Sequence, residues 1–139
     1  MTHKLYLSLG SNLGNREENL RRALALIDER VGSVYRVSSP METDPVGFSS
    51  TNKFINLVCL VHTMMSPMSC LRETQKIEQD LGRTQKSTCT EGTLQHFDRP
   101  IDIDLLTHDD IIMDTPDLAL PHPPMQDRDF VMRPLEEIS

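Results

Sequence analysis

Cysteine is scarce in this sequence, and its spacing excludes two common uses of the residue. The 139 residues contain three cysteines, Cys59, Cys70 and Cys89, and no CxxC pair. An odd number of widely spaced cysteines indicates neither a disulfide framework nor a cysteine zinc site. We therefore expect a protein of a reducing compartment, the cytoplasm.

Basic residues and long apolar runs are also in short supply. Lys and Arg number 14 against 21 Asp and Glu, so the formal net charge is −7. This balance argues against nucleic acid or an anionic membrane surface as a partner, and an anionic ligand would need local cations. No stretch approaches the ~18 continuous apolar residues of a membrane span. We expect a soluble protein that is not exported.

Length and hydrophobic periodicity predict one domain, residues 1–139, of mixed secondary structure. Alternating apolar residues predict strands at 4–10, from 33 into a Pro/Gly loop, at 52–63, and from 101 into a short hairpin at 108–110. No long exposed apolar stripe is visible, so a monomer is expected.

Two helices are bracketed by capping signals. Asn15, with Glu18 three residues later, has the spacing of a capping box and precedes apolar residues at helical spacing. The second helix is expected to begin with Ser66 and Pro67 and to end at Gly82. A short third helix is expected after a proline-rich segment near the end of the chain. The order strand, helix, strand, strand, helix, strand describes an α+β fold, a ferredoxin-like βαββαβ sandwich.

A polar segment, residues 83–98, interrupts this pattern. It has no apolar period and is long for a connection inside one domain. Such loops are commonly functional lids or disordered segments. Both possibilities stay open for this segment.

Two aspartates stand inside an apolar strand. In the stretch RPIDIDL, Asp102 and Asp104 share one face of the strand, while isoleucine and leucine share the other. A solvated sheet face has the same alternation, and the pattern alone favours that interpretation. Two carboxylates on one face are also placed to hold one Mg²⁺ ion or to bridge two, with Arg83 and Arg99 as cations for phosphate oxygens.

Phe54 and Asn56 lie two positions apart and so share a strand face. A ring beside an amide with a donor and an acceptor suits a flat heteroaromatic ligand. An ordinary core phenylalanine beside an asparagine that satisfies a turn fits the pattern equally well. The pair becomes informative only together with other features.

Two further motifs are less specific. The stretch GSNLGN lacks the Lys and Ser/Thr of a P-loop and is interpreted as a structural turn. His122, in the stretch PHPP, is compatible with a metal ligand, a phosphate contact or a surface residue. Neither motif identifies a function by itself.

Several motifs together resemble one enzyme family. In chain order they are LGSNLGN, ETDPVG followed by FINLV, IEQDLGR, DRPIDIDLL and LPHPPMQDRDFVMRPLEEI. In this order and spacing they resemble 6-hydroxymethyl-7,8-dihydropterin pyrophosphokinase, the folate-pathway enzyme that moves a diphosphate from ATP to a pterin alcohol. The resemblance spans nearly the whole chain.

The resemblance implies an ATP-dependent diphosphotransferase with Mg²⁺ as cofactor, two ions being expected. Asp102 and Asp104 match the aspartates that hold these ions, and Arg83 and Arg99 match arginines at the transferred phosphates. The positions that match ATP contacts are Gln75, Glu78, Arg83, Arg99, His122 and Arg128. The positions that match pterin contacts are Thr43, Val46, Phe54, Asn56 and Phe130. Residues 83–98 then correspond to a long catalytic loop that closes over ATP.

The chain departs from the family pattern in that loop. Many relatives have an aromatic-Gly-Pro where this chain has His96, Phe97 and Asp98, and a second arginine where it has Gln85. Two alternatives therefore stand beside the enzyme: a relative that binds pterin and has lost transfer, and a ligand-binding module without chemistry.

Overall fold

The computed structural model describes residues 2–43, 53–82, 88–90, 93–95, 100–123 and 129–138. The strands are β1 (His3–Ser11), β2 (Ser33–Val37), β3 (Met41–Thr43), β4 (Phe54–Thr63), β5 (Thr88–Thr90), β6 (Thr93–Gln95), β7 (Asp102–His108), β8 (Met113–Asp114) and β9 (Ala119–Leu120). The helices are α1 (Arg16–Arg30), α2 (Pro67–Asp80) and α3 (Asp129–Ile138). None of the helices in the described part of the chain has the length and apolar character needed to cross a membrane.

The main sheet is antiparallel. Its strand order is β2-β4-β1-β7, and β3 also pairs with β4. β1 therefore lies between β4 and β7, and β7 forms one edge. With α1 after β1 and α2 after β4, this is the ferredoxin-like βαββαβ arrangement, and the predicted fold class is confirmed.

One predicted strand is divided in two. β2 ends at Val37 and β3 begins at Met41. Between them, the Ser38 hydroxyl accepts a hydrogen bond from the Val58 N–H at 2.9 Å, and the Ser38 N–H donates to the Val58 carbonyl at 2.8 Å. Pro40 follows and has no N–H to donate, so the regular ladder is interrupted here.

Capping residues bracket both long helices as predicted. The Asn15 side chain accepts from the Glu18 N–H at 3.1 Å at the start of α1. At the start of α2 the Ser66 hydroxyl accepts from the Ser69 N–H at 3.3 Å. Gly82 follows α2 with a φ of +101°, a conformation that glycine adopts readily. Both predicted helices are confirmed.

The two faces of the sheet are covered differently. The first face is packed under α1 and α2 and is apolar. Its strand residues are Leu5, Leu7, Leu9, Ile55, Leu57, Cys59, Val61, Ile103 and Leu105. The second face is covered in part by α3, whose Val131 and Ile138 pack with Val58, Leu60 and Leu106. Around Gly10 the second face carries mainly polar side chains, with the Phe54 ring among them.

The chain turns after β7 where a hairpin is predicted, but the returning strand pairs elsewhere. The Ile111 N–H donates to the His108 carbonyl at 3.1 Å, and Asp109 has a φ of +50°. β8 then pairs with β9 and not with β7, so the predicted hairpin is wrong. The physical reason is that Leu118 and Leu120, around β9, are the buried residues of this segment.

Part of the polar segment 83–98 forms a short hairpin that the sequence pattern did not predict. In it Thr88 is opposite Gln95 and Thr90 is opposite Thr93. Threonine is β-branched and favours strands, so a weak local signal was present. The rest of this segment lies outside the described residues, and the predicted lid closure stays a prediction.

Candidate active site

The polar part of the second sheet face lies around Gly10, near the end of β1. In the register of the sheet, Gly10 is opposite Asn56 of β4 on one side and Asp102 of β7 on the other. Two residues earlier, Ser8 is opposite Asp104. Because residues two apart on a strand share a face, these side chains form one polar surface. We call it the Gly10 surface.

A hydrogen bond joins β3 to β4 within the Gly10 surface. The Asn56 side-chain Nδ2 donates to the Thr43 hydroxyl at 2.7 Å. Asn56 is only 5% exposed, so this bond satisfies an amide that is removed from bulk water. The structure thus brings together two residues that the resemblance assigns to the pterin.

Gly10 is a member of this surface that the sequence reading missed. A Cβ at this position would lie 2.8 Å from Asn56 Oδ1 and 3.3 Å from Cδ1 of Phe54. The first distance is too short for a carbon and an oxygen that are not bonded. The Phe54 ring and the Asn56 amide therefore approach a backbone without a side chain. A glycine inside a strand pattern is the signal that could have indicated this close approach.

Asp102 and Asp104 lie on the same face, as their alternation predicts, and both are half-buried. Ile103, between them, points to the first face of the sheet and is buried in the apolar core under α1 and α2. A freely solvated sheet face would leave both carboxylates exposed. The interpretation of the aspartates as part of such a face therefore fits less well than a metal site. Two carboxylates that share a face and keep access to water fit Mg²⁺, which prefers oxygen ligands and retains part of its hydration.

A buried glutamate supports the strand between the two aspartates. Glu78 on α2 is 4% exposed, and its Oε2 accepts a hydrogen bond from the Ile103 N–H at 2.8 Å. Since β7 is an edge strand, the Ile103 N–H that points away from β1 has no neighbouring strand to bind. The Glu78 carboxylate accepts its hydrogen bond instead. The bond holds the backbone that carries Asp102 and Asp104, and it also gives the buried carboxylate a donor.

The two cysteines whose side chains the structure describes are not nucleophiles. Burial raises the pKa of the Cys59 thiol to about 12. Burial also raises the pKa of Cys70 above its ordinary value. Both groups are therefore neutral thiols at neutral pH, and a thiol is a much weaker nucleophile than a thiolate. The chemistry of the Gly10 surface is that of carboxylates, an amide, hydroxyls and a ring.

A family match decides which enzyme class this surface belongs to. The model of the 7,8-dihydro-6-hydroxymethylpterin-pyrophosphokinase (HPPK) family matches residues 6–139. The chain belongs to this family. The resemblance inferred from the sequence motifs is thereby confirmed.

Individual HPPK relatives match over nearly the whole chain. Over 136 residues the chain is 46% identical to a 2-amino-4-hydroxy-6-hydroxymethyldihydropteridine pyrophosphokinase of Porphyromonas gingivalis, covering 97% of this chain and 90% of that protein. It is 39% identical over 139 residues to the protein of the same name from Bacillus subtilis, covering 99% of this chain and 79% of the relative. The folic acid synthesis protein fol1 of Schizosaccharomyces pombe is 37% identical over 135 residues, covering 96% of this chain and 18% of that protein.

Solved structures share the fold. A Plasmodium falciparum HPPK-DHPS chain matches with a TM-score of 0.76 at 17% sequence identity and covers 99% of this chain. An HPPK-DHPS structure in complex with substrates matches with a TM-score of 0.75 at 16% identity and the same coverage. This chain spans 42% and 40% of those two chains, so it corresponds to a part of each.

The remaining HPPK positions are described unevenly. Gln75 is half-buried on α2, three residues before Glu78. His122 is half-buried, and its backbone N–H donates to the Leu106 carbonyl at 2.8 Å, which places His122 beside β7. Phe130 belongs to α3. The site residues and loop departures outside the described part are Val46, Arg83, Gln85, His96, Phe97, Asp98, Arg99 and Arg128. The ligand contacts of all these residues stay predictions.

Arg16 is a further residue that the sequence reading missed. Its Nη1 donates to the Lys53 carbonyl at 2.8 Å and lies 3.1 Å from Glu42 Oε2. Glu42 belongs to β3, and Lys53 directly precedes β4. Arg16 therefore holds together the strand positions next to Thr43 and Phe54. No local sequence signal indicates this contact, because the three residues are distant along the chain.

Proposed function

We propose that this chain transfers diphosphate from ATP to 6-hydroxymethyl-7,8-dihydropterin, giving AMP and the pterin diphosphate, in folate biosynthesis. As a member of the HPPK family the chain is an ATP-dependent diphosphotransferase with ATP as co-substrate. The observation that carries the proposal is the Gly10 surface, where Asn56 and Asp102 flank one glycine. Groups suited to a pterin thus lie beside carboxylates suited to metal-bound phosphates.

Residues of β3 and β4 are proposed to bind the pterin. The Asn56 amide and the Thr43 hydroxyl supply donors and acceptors for the polar edge of the heterocycle. The Phe54 ring supplies a face for stacking. Val46 is proposed to add a contact at the pterin edge, and Phe130 to supply the second ring of a sandwich.

Asp102 and Asp104 are proposed to hold Mg²⁺, with two ions bound in the full complex. Bound Mg²⁺ would neutralise phosphate charge and lower the pKa of the attacking hydroxyl. The contribution of the chain is positioning: β7 keeps both carboxylates on one face, and Glu78 holds the backbone between them. Arg83 and Arg99 are proposed to neutralise charge on the phosphate oxygens. Transfers of this type depend mainly on positioning and charge stabilisation, so no covalent intermediate is required.

ATP is proposed to bind beside β7, the strand that carries Asp102 and Asp104. The bond from Glu78 to Ile103 shows that α2 is packed against β7, and Gln75 lies on the same helix. The backbone N–H of His122 donates to the carbonyl of Leu106, so His122 also lies next to β7. The residues proposed to contact ATP are Gln75, Glu78, Arg83, Arg99, His122 and Arg128. Because Glu78 is 4% exposed, we propose that it positions β7 in addition to any contact with ATP.

Release of AMP from Mg-ATP, with and without 6-hydroxymethyl-7,8-dihydropterin, tests the proposed reaction. The wild-type chain should release AMP only when the pterin is present. Asp104→Ala should lower this rate at least about a hundredfold, because loss of a direct metal ligand should exceed the effect of losing an outer-shell group. The thermal midpoint should stay near that of the wild type. Asp114→Ala, at an exposed aspartate of β8, is the matched control and should keep the wild-type rate.

Two results would count against this assignment. Pterin-dependent AMP release that survives in Asp104→Ala would contradict the metal site. Saturable pterin binding without AMP release by the wild-type chain would overturn the reaction and indicate a relative that has kept binding and lost transfer.

We also propose that residues 1–139 form one domain that acts as a monomer in the cytoplasm, with ATP and the pterin as its small-molecule partners. In support, both core clusters pack on one sheet, and the described thiols Cys59 and Cys70 are buried and free. Light scattering after size-exclusion chromatography should give a mass near the 15.8 kDa of one chain. Twice that mass would contradict the monomer.

A further inference from the structure

A second polar cluster lies at the other end of β1 and β7. His3 begins β1, His108 ends β7, and Asp109 follows. Gly10 is seven positions from His3 along β1, and Asp102 is seven positions from Asp109 along β7 and its end, a separation of about 23 Å at the usual strand rise. We call His3, His108 and Asp109 the histidine cluster. In the part of the chain that the structure describes, each of the three offers one possible metal-binding atom, and these three atoms lie within 4.8 Å of one another.

Two members of the histidine cluster have an evident structural role. Asp109 Oδ1 accepts from the Lys4 N–H at 2.7 Å, and Oδ2 lies 2.7 Å from His3 Nδ1. The Lys4 N–H and then His3 lower the pKa of the Asp109 carboxyl, so this group is ionised at neutral pH. A carboxylate can only accept, so His3 Nδ1 carries a hydrogen, and Nε2 of the neutral ring carries a lone pair.

These bonds do not account for His108. Its side chain is 1% exposed, and its Nε2 lies 2.8 Å from the Met65 carbonyl. A carbonyl also only accepts, so Nε2 carries a hydrogen, and in the neutral form of the ring Nδ1 then carries a lone pair. Within the described part of the chain, this Nδ1 is buried and has no hydrogen-bond partner. A buried acceptor without a donor is unfavourable, which indicates that an electrophilic partner belongs at this position.

We propose that His3, His108 and Asp109 form a binding site for a borderline divalent metal ion, with Zn²⁺ as its representative. Two imidazole nitrogens and one carboxylate are a donor set that zinc prefers, whereas Mg²⁺ prefers oxygen ligands alone. A histidine that binds a metal commonly donates its other ring N–H to a carbonyl, and His108 makes this bond to Met65. The site is therefore distinct in chemistry from the aspartate pair of the Gly10 surface.

The histidine cluster can contract around an ion. Donors in a tetrahedral zinc site lie about 2.0–2.2 Å from the metal and hence about 3.3–3.6 Å from one another. All three residues already offer a donor within 4.8 Å of the other two, and His3 Nδ1 lies 2.7 Å from Asp109 Oδ2, so small side-chain movements reach this spacing. His108 is held by burial, but the side chains of His3 and Asp109 are 32% and 39% exposed and have room to approach it. Binding joins the start of β1, the end of β7 and the segment of Met65, so the ion stabilises the fold.

Equilibrium dialysis of the full chain, with any affinity tag removed, against Zn²⁺ in a large excess of Mg²⁺ tests the site. The excess Mg²⁺ competes for sites with oxygen ligands alone, such as the aspartate pair. Zn²⁺ should then bind only at a site with imidazole ligands. The wild-type chain should bind one Zn²⁺ ion and unfold at a higher temperature when it is bound. Co²⁺ used in place of Zn²⁺ should give the visible absorption of a four-coordinate site with nitrogen ligands.

Variants at the exposed ligands keep the test independent of folding. His3→Gln and Asp109→Asn should each weaken Zn²⁺ binding at least about tenfold, the lower bound for losing even an outer-shell group. His62→Gln is the matched control, because His62 stacks on Tyr35 outside the cluster, and it should bind as the wild type does. Absence of Zn²⁺ binding by the wild-type chain, or equal binding by all three variants, would overturn the proposal.

Discussion

The two halves of the second sheet face are built from the same three strands and differ in what lies over them. In one half, α3 covers Leu60 and Leu106 with its own apolar residues. In the other half, Asn56 and Asp102 flank Gly10 on the Gly10 surface. Strand alternation assigns all of these residues to one face. The covering helix then determines which half must exclude water and which half can offer polar groups to a ligand.

Leu106→Ala should have the largest effect, and it acts on the covered half. Leu106 is fully buried beneath α3. Truncation removes its packing and leaves a cavity, which should lower the free energy of unfolding by about 2–5 kcal/mol. Urea unfolding measures this loss. The rate of AMP release per folded molecule should stay near that of the wild type. A large loss of rate with unchanged stability would show that the two halves are not separable.

Glu78→Ala should affect both stability and transfer. It leaves the Ile103 N–H without its buried acceptor, which should lower the free energy of unfolding by about 1–3 kcal/mol. The rate of AMP release should also fall and need more Mg²⁺, because the strand between Asp102 and Asp104 loses its support. Glu78→Gln keeps an acceptor oxygen and should lose less stability. Equal stability of the two variants in urea would show that the bond to Ile103 is not what this residue contributes.

Gly10→Ala should act on the polar half with little effect on the covered half. The added methyl group displaces the Asn56 amide and the Phe54 ring, so the KM for the pterin should rise about tenfold, equivalent to about 1.4 kcal/mol of binding. Gly32→Ala is the control, because its Cβ would collide with the His62 carbonyl oxygen, and it should lower stability instead. Steady-state kinetics and thermal unfolding separate the two effects. An unchanged pterin KM in Gly10→Ala would contradict the pterin-binding role of the Gly10 surface.

Glu137→Ala should have the smallest effect on stability, because it removes one attachment of α3, the helix that covers half of the second face. Glu137 Oε2 accepts from the Ser39 N–H at 2.8 Å and lies 3.1 Å from the Ser39 hydroxyl, which joins the end of α3 to the segment after β2. Its loss should lower the free energy of unfolding by about 0.5–1.5 kcal/mol without changing the transfer rate. Glu136→Ala, at the exposed neighbouring residue, should be neutral. The same decrease in thermal midpoint for both variants would show that the bond to Ser39 is not the cause.

Local sequence signals predicted most of the fold. Asn15 and Ser66 cap the helices that their spacing indicates, because a capping bond reaches only three residues along the chain. The division between β2 and β3 was not predictable in this way. It depends on the bonds between Ser38 and Val58, which are 20 residues apart. The false hairpin after β7 has the same origin, since the partner of β8 was decided by the burial of a segment further along the chain.

Local sequence signals likewise predicted only part of the candidate site. The alternation of the aspartates and the spacing of Phe54 and Asn56 indicated which residues share a face, and the structure agrees. The roles of Gly10 and Arg16 depend on contacts with distant strands. The local signal for Gly10 is a glycine within a strand pattern, and no neighbouring residue indicates the contacts of Arg16. The ligand contacts of the aspartates and of Phe54 and Asn56 stay predictions until the binding and transfer experiments are done.

Residues close together along the chain and motifs of fixed order were enough to predict the three helices, the main strands of the large sheet, the side-chain alternation and the family of this protein. Which alternating residues meet depended on the tertiary structure. Only the sheet register places Asn56 and Asp102 on either side of Gly10, and only the turn after β7 brings Asp109 to His3. The physical reason is that hydrogen bonds and packing between distant segments depend on how the whole chain folds, while caps and periodicity depend on a few neighbouring residues.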